Sequence, residues 1–128
     1  MKGKMSIFGG IADDFMKPEE GLALYEHWEA DLRPDLFTFR NLNRELGTSK
    51  RLKDNALYFA YRYDKDRPRG WLQKTPFLFT NPTTNLSVVC HLVDYGHKDE
   101  TMRQFDLSPY AATLLKLRTD DEVIGEPL

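Results

Sequence analysis

Three side chains close together in the sequence, His91, Asp94 and His97, are of the types that hold zinc or iron. Metal binding also needs them on one side of the backbone. In a strand from Leu86 to Asp94, residues three apart point to opposite faces, which separates His91 from Asp94. Gly96 then interrupts the strand before His97, so the spacing argues against a metal centre and no cofactor is expected. Cys90, the single cysteine, lies between Val89 and His91 in the most apolar run of the chain, where a thiol behaves as a small core residue. A nucleophilic cysteine needs a positioned base and an electropositive, open setting, and His91 points the other way across the strand. Gly9-Gly10 lacks the spacing and the Lys-Ser/Thr of a phosphate loop, and no carboxylate pair stands out. The residues predict no catalytic site.

A different chemistry is carried by the middle of the chain. Residues 33–74 hold 11 basic and 5 acidic side chains, whereas residues 1–32 hold 3 and 7, and residues 75–128 hold 4 and 8. The basic third is interleaved with Phe37, Phe39, Tyr58, Tyr61 and Trp71. Cations for phosphates and rings for bases would suit a single nucleic-acid strand. The sequence pI of about 5.9 and the intervening Asp64 and Asp66 weaken that reading and favour a surface that meets an acidic protein patch. The candidate partner-binding residues are Phe8, Ile11 and Phe15 on an apolar N-terminal arm (1–16), with Arg62, Lys65, Arg67, Arg69 and Trp71 on and after a polar loop.

These residues must be carried by elements. Pro76 to Tyr95 predicts a β-hairpin: aromatic and β-branched runs flank Asn81-Pro82-Thr83-Thr84-Asn85. Pro18–Leu32 and Asp35–Leu46 have helical spacing of apolar residues, and 49–62 matches a helix through Leu52, Ala56, Phe59 and Ala60. The alternation of Leu57, Phe59, Tyr61 and Tyr63 offers a strand as the competing reading of that last segment. Asp64 to Gly70 predicts an exposed loop, and Trp71-Leu72 a short strand. Residues 101–107 predict a third strand, and Ser108-Pro109 starts a helix to Arg118. Residues 119–128 read as a polar tail. The expectation is one α+β domain over 1–128: N-terminal helices packed on a small antiparallel sheet built on the 76–95 hairpin, with a C-terminal helix.

Composition bounds the function. The 128 residues, 41% hydrophobic and 30% charged, suffice for one core without disulfides. No apolar run reaches membrane-spanning length, and the first residues are too Gly-rich for a signal sequence. The expected location is therefore inside the cell or within a larger particle. The sequence points to a non-catalytic, non-enzymatic protein–protein interaction or structural subunit of an assembly, such as a virion or multi-protein complex. Its partners would be other protein subunits or further copies of itself, with no membrane. The alternatives are a nucleic-acid-binding or inhibitory regulator using 33–74, and a small metal-dependent hydrolase using His91, Asp94 and His97.

Overall fold

The computed structural model describes residues 1–10, 24–25, 27–30, 32–39, 50–96 and 103–128. Its centre is a closed barrel of six strands: β1 (Lys2–Ile7), β4 (Tyr58–Tyr61), β5 (Phe77–Thr80), β6 (Ser87–Tyr95), β7 (Arg103–Leu107) and β8 (Glu122–Pro127). Around the wall they run β1-β7-β4-β6-β5-β8, and β8 pairs with β1 to close the ring. The β1–β7 and β4–β6 pairs are parallel; the others are antiparallel. Two short strands, β2 (Phe37–Phe39) and β3 (Lys50–Leu52), form a separate ribbon. Helices α1 (His27–Ala30), α2 (Arg69–Lys74) and α3 (Pro109–Leu115) are all short.

This overturns the α+β expectation. The described helices do not form a layer on a sheet; the sheet closes on itself and packs its own inner face. The 49–62 segment shows why. Tyr58, Phe59 and Ala60 are all buried, so their run exposes neither a period of two nor one of 3.6. Between β6 and β7, the backbone groups of β4 find partners on both sides, which settles the element as strand. Phe37–Phe39, placed in a helix by its spacing, is strand β2, and the expected strand at Trp71 is instead part of α2, which follows Pro68. The docking arm supplies β1 from its first residues, and the polar tail contains β8. Residues 18–23 and 40–49, where much of the two expected N-terminal helices falls, lie outside the described residues.

The hairpin is found where its sequence predicts it. Phe77 pairs with Cys90 and Thr80 with Ser87, and Asn81 holds the loop. The Asn81 side-chain amide donates to the Leu115 carbonyl at 2.8 Å, and its oxygen accepts from the Thr83 amide at 2.9 Å. The barrel interior is aromatic: Phe59 lies 4.7 Å from Phe79 and 4.9 Å from Phe77, and Phe79 lies 5.1 Å from Phe105, centroid to centroid. Tilted and edge-on contacts of this kind suit ring quadrupoles. Helix α3 covers one side with Ala111, Ala112 and Leu115.

Candidate functional site

The basic loop leaves the barrel at the end of β4. Its first turn is built by its own acids: the Asp64 carboxylate accepts from the Asp66 amide at 2.9 Å, and the Asp64 carbonyl from the Arg67 amide at 3.1 Å. That turn throws the cations back over aromatic rings. Lys65 Nζ stands 4.3 Å and Arg62 Cζ 5.2 Å from the centroid of Tyr95, the last residue of β6. Arg67 Cζ stands 4.5 Å above the Trp71 ring. Each such contact is worth about 0.5–1 kcal/mol at an exposed site and restrains a long side chain. Tyr63 meets Tyr95 edge-on at 5.0 Å and Tyr61 at 6.1 Å, so three tyrosines line the same end of the barrel. Burial holds the Tyr61 and Tyr63 phenols above their usual pKa, so they remain protonated hydrogen-bonding groups.

The candidate residues thus separate. Arg62, Lys65, Arg67 and Trp71 lie on this cation–ring rim, with the cations exposed and Trp71 at 38%. Arg69 instead bonds Glu29 at 2.7 Å, and with Gln73, which donates to the same carboxylate at 3.2 Å, it ties α2 to α1. Phe8 is half-buried against the protein's own core, edge-on to Tyr58 at 5.4 Å. Ile11 and Phe15 lie outside the described residues.

A second arrangement has no counterpart in the sequence reading. Phe59 and Tyr61 stack inside the barrel, so Ala60 between them faces outward. Ala60 is in register with Asp106 on β7 and with Asp94 on β6, and Asp106 is in register with Ser6 on β1. A row Ser6–Asp106–Ala60–Asp94 therefore crosses four strands on the outer face of the wall. Ala60 (2%), Asp106 (4%) and Ser6 (5%) are covered, and the Ser6 hydroxyl donates to the Asp106 carboxylate. Two interstrand steps set the Asp94 and Asp106 backbones about 10 Å apart, with Ala60 in register between them.

The same register corrects the parity argument. Tyr58 faces His91, Phe59 faces Leu92 and Ala60 faces Asp94, so from Phe59 to Ala60 two residues of β4 oppose three of β6. The irregularity at Val93 is a bulge, and it returns His91 and Asp94 to one side of the wall. His97 lies outside the described residues, and among the described residues no group of three metal-ligating side chains is formed. His91 titrates below its usual pKa, through desolvation and then the nearby Arg33 charge, with Asp35 opposing. Arg33 itself grips Asp35 at 2.9 and 2.8 Å and the Tyr25 hydroxyl at 2.9 Å. Cys90 is fully buried, and desolvation pushes its thiol up to about 12. No nucleophile exists there at neutral pH.

No protein-family model matches the chain, and no curated protein matches it. Of the residues that sequence reasoning missed, Tyr95 carried a signal, an aromatic residue closing a strand beside a glycine. Asp106 carried another, a carboxylate between Phe105 and Leu107 in a strand that ends at a helix cap. Ser6 and Ala60 carried none, because only register brings them to that row.

Proposed function

We propose that the protein is a non-catalytic docking subunit of a larger assembly, which engages a protein partner through the rim formed by Arg62, Lys65, Arg67, Trp71 and Tyr95. The supporting observation is that three exposed cations are each held against an aromatic ring, so part of the entropy of ordering them at an interface is already spent. Aromatic residues and arginine are also the types that dominate binding energy at interfaces. The closed barrel gives the rim a stiff base and keeps its own strands from pairing with a neighbour. The test is size measurement of the native chain and of an Arg67→Ala/Trp71→Ala chain, each alone and with its native partners. A larger species that the variant loses supports docking; a native chain that stays monomeric and unassociated at high concentration overturns it.

A second reading rests on the Ser6–Asp106–Ala60–Asp94 row. Two carboxylates on one face, one of them covered and bonded by a hydroxyl, are the side-chain types that acid–base hydrolysis uses, in which one protonates a leaving group and the other activates water or attacks. Their backbone spacing allows carboxyl separations of about 5–10 Å, as in glycoside cleavage. This reading has a clean test. Release of soluble fragments from polysaccharide substrates, abolished in Asp106→Asn with the fold retained by circular dichroism, supports it; absence of hydrolysis by the native chain removes it.

A further inference from the structure

We infer that the rim selects an acidic polypeptide segment with separated carboxylates, in preference to a nucleic-acid strand; this rests on the docking reading above. Three features of the rim carry it.

The first is occupancy of the rings. Tyr95 has Lys65 and Arg62 over it and Trp71 has Arg67, so stacking a nucleobase on either ring competes with a cation already there. Strand-binding surfaces instead keep rings for bases and cations for the backbone.

The second is the alternation of charge. From Arg62 to Arg69 the chain carries four cations and two carboxylates, in the order Arg62, Asp64, Lys65, Asp66, Arg67, Arg69. Asp64 cannot turn away, because its carboxylate accepts the Asp66 amide that shapes the turn. A phosphate backbone carries a charge on every nucleotide and can omit none, so it would meet these acids at close range. A polypeptide can space its carboxylates to meet the cations and leave the acids to water.

The third is that Lys65 and Arg62 share one ring. Their distances to its centroid keep the two charges within about a Debye length of each other at moderate salt. The Lys65 ammonium over Tyr95 and the Arg67 guanidinium over Trp71 are two separate clips, each of which one Glu or Asp side chain can meet.

The experiment uses the full chain with two fluorescent probes of matched formal charge: a peptide of alternating Glu and Gly, and a thymidine oligonucleotide. Anisotropy titrations at about 50 mM and about 200 mM salt should show the peptide binding more tightly, with affinity falling as salt rises. Lys65→Glu with Arg67→Glu should weaken peptide binding by about tenfold or more. Tyr95→Leu, which keeps every charge and removes the ring that orders two of them, should weaken it several-fold. All three positions are on the rim, so circular dichroism should show an unchanged barrel. Tighter binding of the oligonucleotide overturns the inference while leaving docking intact. Peptide binding indifferent to the charge reversal also overturns it. If neither probe binds and the native chain forms no larger species with its partners, docking itself has failed.

Discussion

Cys90, His91 and Asp106 sit within the barrel wall, and their environments give them different chemistry. The thiol of Cys90 is buried from solvent and its ionisation is pushed up to about 12, so it should resist alkylation at pH 8 in the native protein and react at once when unfolded in guanidinium. Rapid native labelling, followed by mass spectrometry, would contradict its burial. His91 titrates below its unfolded value of 6.5. Between the folded and unfolded pKa values the unfolded chain holds more protons, so stability rises with pH in that window. His91 therefore contributes nothing unfavourable above about pH 6.5 and destabilises progressively as pH falls through its lower folded pKa. Urea titrations from pH 7.5 down to 5 should show a loss that His91→Gln removes. At Asp106, substitution by Ala strands the covered Ser6 hydroxyl, and the expected loss is about 1–3 kcal/mol. The double variant Ser6→Ala/Asp106→Ala should recover part of it, a coupling that denaturant cycles measure directly.

At the scale of elements, two joints decide whether strands and helices meet. Ser108 closes β7 and opens α3: its hydroxyl accepts from the Ala111 amide at 3.2 Å, Pro109 follows at the first helical position, and the side chain is fully buried. Ser108→Ala should cost about 1 kcal/mol or somewhat more, because the Tyr58 amide also approaches that hydroxyl at 3.5 Å. The second joint is β8 against β5. A Cβ at Gly125 would stand 2.6 Å from the Phe79 ring and 3.1 Å from that of Phe105, both buried in the barrel. Overpacking of this kind costs about 1–3 kcal/mol, so Gly125→Ala should lower the melting temperature, whereas Gly70→Ala, with open space around it, should leave the midpoint near that of the native chain.

For the whole molecule, closure is the decisive property. Strand β1 pairs with both β7 and β8, and it stands between the two ends of an otherwise open sheet. Deleting residues 1–7 should therefore do more than shorten a terminus: it should open the barrel, expose the Phe59–Phe79–Phe105 cluster and turn a cooperative transition into a broad one. Dye binding to exposed apolar surface and the slope of urea unfolding would report that change. Retention of a sharp, native-like transition would mean that the remaining strands close without β1.

What could be read from the chain alone was local. The hairpin was legible because its turn residues and its apolar runs are contiguous, and the helix after Ser108 because a cap and a proline are adjacent in sequence. The separation of charge along the chain, and with it the exposed loop from Asp64, was legible for the same reason, although the last two residues of the expected 64–70 loop, Arg69 and Gly70, open α2. The barrel was not. Tyr58, Phe59 and Ala60 are buried on both faces, so the segment fits helical spacing as well as the alternation of a strand, and neither decides. Closure itself depends on pairings such as Lys2 with Ile124 and Ser6 with Asp106, at separations where no propensity acts. The bulge at Val93 is a tertiary decision too: it lets three residues of β6 match two of β4, and so reverses the facing of His91 and Asp94 that strand alternation implies. Residue types determined which groups could bind or react; register between distant strands decided which of them share a face.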